Sequence, residues 1–113
     1  MKQNTIALVY DFDGTLTPKT MQEYTIIPRL KLNSKKFWKS IIDEANNSDG
    51  EVMMIYMRRL ITEAKKLNFD ITKNQFNEMA SNIKYFKGVL NWFDNINNYV
   101  DKNHSKIKIS HYE

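Results

Sequence analysis

Apolar positions recur along the chain with two periods. Residues 5–10, TIALVY, form one short run of β-branched, aliphatic and aromatic side chains. The run is too short for a helix, and the turn pair Asp13-Gly14 follows it. It predicts a strand buried on both faces, as in a parallel sheet. Residues 11–18 then form a loop at the carboxyl end of that strand.

From residue 20 the spacing becomes helical. Met21, Tyr24 and Ile27 predict a short helix over 20–27, which Pro28 ends. Ser34 is the expected N-cap of a helix over 35–46, with Phe37, Trp38, Ile41, Ile42 and Ala45 on one face. NNSDG at 46–50 predicts a turn. Residues 51–67 carry the strongest stripe: Met53, Tyr56, Met57, Leu60, Ile61, Ala64 and Leu67. Met53, Met54 and Met57 are expected in the core. Thr72 and Gln75 predict a capping box, flanked by an Ile71–Phe76 hydrophobic staple. Phe76, Met79, Ala80 and Ile83 continue the stripe. Gly88 interrupts it. Val89, Trp92, Phe93, Ile96, Tyr99 and Val100 predict one more amphipathic helix, with Trp38, Trp92 and Phe93 as anchors in the core or at an interface. Residues 103–105 predict a turn, and 106–112 alternate well enough for a second strand. The order is strand, three or four helices, a glycine break, helix, strand.

Charge changes this picture little. Net charge is +4, from 17 basic and 13 acidic residues in 113. It is spread over all three thirds of the chain, whereas a nucleic-acid reader concentrates Lys and Arg on one face. A basic nucleic-acid-binding domain is therefore disfavoured. Arg58 and Arg59 are read as a solvated helix face, with contact to a substrate anion as the alternative. His104 and His111 have no partner motif and are read as surface or turn residues. There is no cysteine, hence no disulfide and no thiolate metal site. A cytoplasmic location is expected. No leader peptide is recognisable, and no apolar run approaches the roughly 20 residues that span a bilayer.

Candidate chemistry is concentrated in Asp11-Phe12-Asp13-Gly14-Thr15-Leu16-Thr17. Ligand sites of open parallel sheets lie beyond the carboxyl ends of the strands. Two carboxylates two residues apart, just past a strand, can converge there if the chain curls. Gly14 permits a backbone conformation other residues resist. Thr15 adds a hydroxyl and an N–H. Paired carboxylates repel each other, and a hard divalent cation with oxygen ligands is the natural counter-ion. One carboxylate can attack a phosphoryl group, and the other can move protons for the leaving oxygen and the water. An ordinary Asp-Gly turn after a strand is the plainer alternative.

A hydrophobic strand followed by DFDGTLT near the N-terminus resembles motif one of the haloacid dehalogenase superfamily, in the form its phosphatases carry. The resemblance implies Asp11 as nucleophile and Mg²⁺ ligand. It implies Asp13 as general acid/base, with its carbonyl as a second Mg²⁺ ligand. Gly14 and Thr15 would bind phosphate. A second Asp favours phosphate-ester hydrolysis or phosphoryl transfer over dehalogenation. The implied fold is α/β: an incomplete Rossmann-like core from residues 1–19 and 86–113, with residues 20–85 inserted as a helical cap. Residues 85–89 (YFKGV) resemble the segment that re-enters the core.

The family also uses a Ser or Thr after the second core strand, then a Lys and further acidic Mg²⁺ ligands. Either Ser110 or a residue beyond Glu113 would supply that hydroxyl. The later elements need more chain than 113 residues hold. A truncated chain is therefore expected, completed by the rest of the core or by another copy. Two strands seldom make a stable sheet alone. The expected function is Mg²⁺-dependent hydrolysis of a phosphorylated small molecule, without nucleic acid or membrane. The alternative is a non-catalytic helical binding module derived from such a phosphatase.

Overall fold

The computed structural model describes residues 4–113. The described residues form a mixed α/β chain. Its elements are β1 (Asn4–Val9), α1 (Met21–Tyr24), α2 (Ile26–Arg29), α3 (Ser34–Ser48), α4 (Val52–Lys66), α5 (Lys73–Ala80), α6 (Val89–Asn103) and β2 (Ile107–Tyr112). They fall into two compact units. One takes the residues up to Thr20 together with Lys84–Glu113, and the other takes Met21–Ile83. Among the described residues, no helix is long and apolar enough to cross a membrane.

In the first unit β1 and β2 pair in parallel, from Asn4 with Ile107 to Val9 with Tyr112. Parallel neighbours need a crossover. Here the chain between the strands includes α6, which packs against β2. The expectation that β1 is buried on both faces is corrected. Only Leu8 is even partly covered, and Ile6 and Val9 are 45% and 75% exposed. The described sheet has two strands, so β2 flanks β1 along one edge only. On α6 the apolar stripe is only partly covered: Val100 is buried, while Trp92 and Tyr99 stay exposed. Gly88 starts this helix at φ 91°.

The second unit holds most of the buried apolar side chains. Ile26, Ile27 and Leu30 pack with Phe37, Ile41 and Ala45 of α3, with Ile55, Tyr56, Leu60 and Ala64 of α4, and with Met79. Trp38 stacks on Tyr56 at 5.0 Å between ring centroids. Burying a side chain such as Ile41 or Leu60 is worth about 1.5–3 kcal/mol. Met53, Met54 and Met57 do not join this core. They are 56%, 67% and 53% exposed. The apolar stripe on α4 is wider than its contact with α3, and the docked line runs through Tyr56, Leu60 and Ala64.

Three local expectations shift. Pro28 does not end a helix. It is the third residue of α2, where its missing N–H has no partner to lose. That helix runs to Arg29 and is closed by left-handed Lys31, φ 55°, with Lys31 N–H on the Pro28 carbonyl (3.0 Å) and Leu32 N–H on that of Ile27 (3.1 Å). Asn33, not Ser34, caps α3: its side-chain oxygen accepts from Lys36 N–H at 3.0 Å, while Ser34 Oγ donates to Glu23 at 2.7 Å. The helix also runs through the expected turn as far as Ser48, closed by left-handed Asp49. Thr72 caps α5 as expected, accepting from Gln75 N–H at 3.2 Å. The reciprocal half of the box is not made, because Gln75 Oε1 is buried without a partner.

Arg58 and Arg59 are not a simply solvated face. Both bind Glu44 of α3, with Arg59 Nε and a terminal nitrogen at 3.0 and 2.8 Å. Those hydrogen bonds and the two positive charges hold the Glu44 carboxyl below its usual value of 4.5.

Candidate active site

The Asp11–Thr17 loop starts where β1 stops. Tyr10 N–H makes one last ladder bond, to the Tyr112 carbonyl at 2.9 Å. The chain then winds around a single acceptor. The Phe12 carbonyl takes hydrogen bonds from the N–H groups of Thr15 (3.2 Å), Leu16 (2.9 Å) and Thr17 (3.3 Å). Gly14 makes this winding possible at φ 80°. No atom lies within 4 Å of the place a Cβ would occupy there, so the requirement is one of backbone conformation and not of space. An L side chain in that region costs about 1–2 kcal/mol.

The loop is braced at both flanks. Thr17 is fully buried, and its hydroxyl donates to the Lys19 carbonyl at 2.7 Å. Phe86 N–H donates to the Leu16 carbonyl at 3.0 Å. The Phe12 ring meets the edge of Tyr85 at 6.0 Å. Between these anchors Asp11, Asp13, Gly14 and Thr15 face water. Thr15 Oγ1 lies 3.2 Å from Asp11 Oδ2 and donates to it, which orients that carboxylate. Asp13 pairs with Thr17 through an isolated bridge.

The structure thus brings Asp11, Asp13, Gly14 and Thr15 into one exposed turn. Ser110 is not part of it. Ser110 sits opposite Ala7, four residues before Asp11, or roughly 13 Å of strand. Among the described residues no three His, Cys, Asp or Glu side chains group to hold a metal ion. Asp11, Asp13 and Thr15 are nevertheless hard oxygen donors. Mg²⁺ suits such a set, because it keeps several waters and takes only one or two carboxylates.

One group near the loop had no signal in the sequence. His111 of β2 joins two rings that also touch each other: Tyr10 stacks on it at 5.8 Å, and Phe93 meets it edge-on at 5.2 Å. Its Nε2 is 3.0 Å from Asn97 Oδ1, and its Nδ1 is 2.9 Å from the Tyr10 hydroxyl. That hydroxyl accepts from Trp92 Nε1–H at 2.8 Å. Donor logic orders the chain. Asn97 Oδ1 only accepts, so in the neutral imidazole Nε2 carries the proton and Nδ1 accepts from the Tyr10 hydroxyl. Tyr10 and His111 are 101 residues apart, so no local spacing announces the pair.

Comparison with known proteins adds one relative. A protein of Borreliella burgdorferi described as uncharacterized is 29% identical over 119 residues, covering 96% of this chain and 41% of its own length. The chain therefore spans about two fifths of that relative. No protein-family model matches the chain. No solved structure matches it.

Proposed function

We propose that this chain carries the nucleophile loop of an Mg²⁺-dependent phosphate-ester hydrolase of the haloacid dehalogenase type, acting on a phosphorylated small molecule. The observation that supports this most is the Asp11–Thr15 turn. Two carboxylates and a hydroxyl stand on an exposed, glycine-dependent loop directly past a parallel strand, with Thr15 donating to Asp11. In this proposal β1, β2 and α6 belong to a Rossmann-like core and 21–83 to its cap.

Asp11 is the nucleophile. Its carboxylate oxygen forms a bond to phosphorus as the bond from phosphorus to the leaving oxygen breaks, giving an aspartyl-phosphate. Asp13 donates its proton to the leaving oxygen. Asp13 then takes a proton from the water whose oxygen attacks phosphorus, which releases phosphate and restores Asp11. Thr15 holds the Asp11 carboxylate in one orientation through its hydroxyl, while its N–H stays on the Phe12 carbonyl and keeps the turn wound. Asp11 and Asp13 would hold Mg²⁺, which when bound neutralises the negative charge gathered at this turn. Ser110 has no part in these steps.

The test is Mg²⁺-dependent hydrolysis of p-nitrophenyl phosphate, measured on this chain and on the longest natural form of the protein. Asp11→Asn is expected to abolish it, because an amide cannot serve as the nucleophile. Asp13→Asn is expected to lose about 10²–10⁴-fold. It should also accumulate phosphorylated Asp11, because attack by water then lacks its base. Hydrolysis that survives Asp11→Asn would refute the assignment.

A further inference from the structure

We propose that His111 is a positioning residue for Asp11, acting through Tyr10. The inference rests on the reading of Asp11 as nucleophile. What carries it is a set of side-chain hydrogen bonds that tie the end of β1 to β2 and α6.

Tyr10 is the residue directly before Asp11. Its backbone is held by the Tyr112 carbonyl at 2.9 Å. Its ring is held by Phe93, edge-on at 5.5 Å, and by stacking on His111. Its hydroxyl is held on both sides, accepting from Trp92 Nε1–H and donating to His111 Nδ1. His111 can accept there only while its other nitrogen donates, and Asn97 Oδ1 provides the acceptor. Every member of the chain therefore has a defined role as donor or acceptor, and such networks stiffen the groups they join.

The stiffness is placed where the loop needs it. Asp11 is exposed, and its carboxylate accepts from the Thr15 hydroxyl within the same loop. Nothing in that contact sets where the loop as a whole stands against the sheet. Tyr10 does, because it is the last residue on the ladder. Leu16 of the loop also shares a cavity of about 160 Å³ with Tyr10, Phe93 and His111. A nucleophile displaced by about 1 Å can lose on the order of 10²-fold in rate.

Two substitutions separate positioning from mere packing. His111→Phe keeps a ring against Tyr10 and Phe93 but removes both hydrogen bonds. His111→Asn keeps an oxygen near the place of Nδ1, able to accept from Tyr10. The first readout is p-nitrophenyl phosphate hydrolysis with Mg²⁺, beside Asp11→Asn as control. His111→Phe should lose about 10- to 100-fold in kcat at unchanged KM, and His111→Asn should recover most of that loss. The second readout needs no turnover. In ¹H–¹⁵N spectra of the chain, the Gly14 and Thr15 amides should shift in His111→Phe and stay near wild type in His111→Asn. Unmoved Gly14 and Thr15 amides in His111→Phe would overturn the proposal. So would an equal kcat loss in both variants. Absence of hydrolysis in the longest natural form would count against the phosphatase reading alone, and the amide spectra would then decide the role of His111.

Discussion

At the scale of single residues, polar side chains reveal how far local spacing reaches. Asp11, Asp13, Gly14 and Thr15 lie within five positions of one another, and their gathering into one turn follows from the left-handed Gly14 and the shared Phe12 carbonyl. Glu44 is different, since its partners are 14 and 15 residues away on the next helix. Arg59, hydrogen-bonded to it, lowers its pKa most, and Arg58 adds to the effect. A carboxyl lowered in the folded state binds fewer protons there than when unfolded, so its contribution rises with pH. That contribution is complete above the usual value of 4.5 and is lost as pH falls through the lowered one. Urea denaturation of wild type and Glu44→Gln across pH 3–6 should therefore show converging stabilities at the acidic end. The pair is partly exposed, so added salt should shrink the difference.

At the scale of elements, the order strand, helices, strand is legible from hydrophobic spacing, but the caps and the buried lines are not. Ser34 and Asn33 are adjacent and both are good N-cap residues. Which one caps depends on Glu23, eleven residues away, which accepts from Ser34 Oγ and leaves the role to Asn33. Asn33→Ala should cost about 1 kcal/mol in chemical denaturation. Ser34→Ala should cost less, since it removes one part-buried side-chain hydrogen bond and no cap. An equal or larger cost for Ser34→Ala would show that the capping assignment is wrong. The same limit governs α4. Its sequence marks a wide apolar stripe, yet Met53, Met54 and Met57 face water while Tyr56, Leu60 and Ala64 are buried. Period alone finds a face; the neighbour decides which line of it is covered.

At the scale of the whole molecule, burial is uneven between the two units. Among the described residues, Val100 is the buried apolar side chain of the unit that carries the Asp11 loop; the others belong to 21–83. Two-stranded sheets are marginal in water, and local opening free energies follow the density of buried contacts. Hydrogen exchange followed by mass spectrometry should find amides of 55–64 protected for longer than those of 5–9 and 107–112. Equal protection would mean that the two units unfold as one cooperative body. In that case the exposed face of β1 would not be its weakness.

Local chemistry along the chain was enough to reveal a strand-loop that carries paired carboxylates, a glycine break before the last helix and a second strand at the end. Each depends on residues a few positions apart, whose sterics and hydrogen bonds act before the chain has folded. The assembled chain alone decided the rest. It covered β1 on one edge only, turned the methionines of α4 to water and gave the cap of α3 to Asn33. It also closed the Trp92–Tyr10–His111–Asn97 chain. Those outcomes join side chains separated by up to 101 positions. Their partners are chosen by which faces meet, and that is a property of packing in three dimensions.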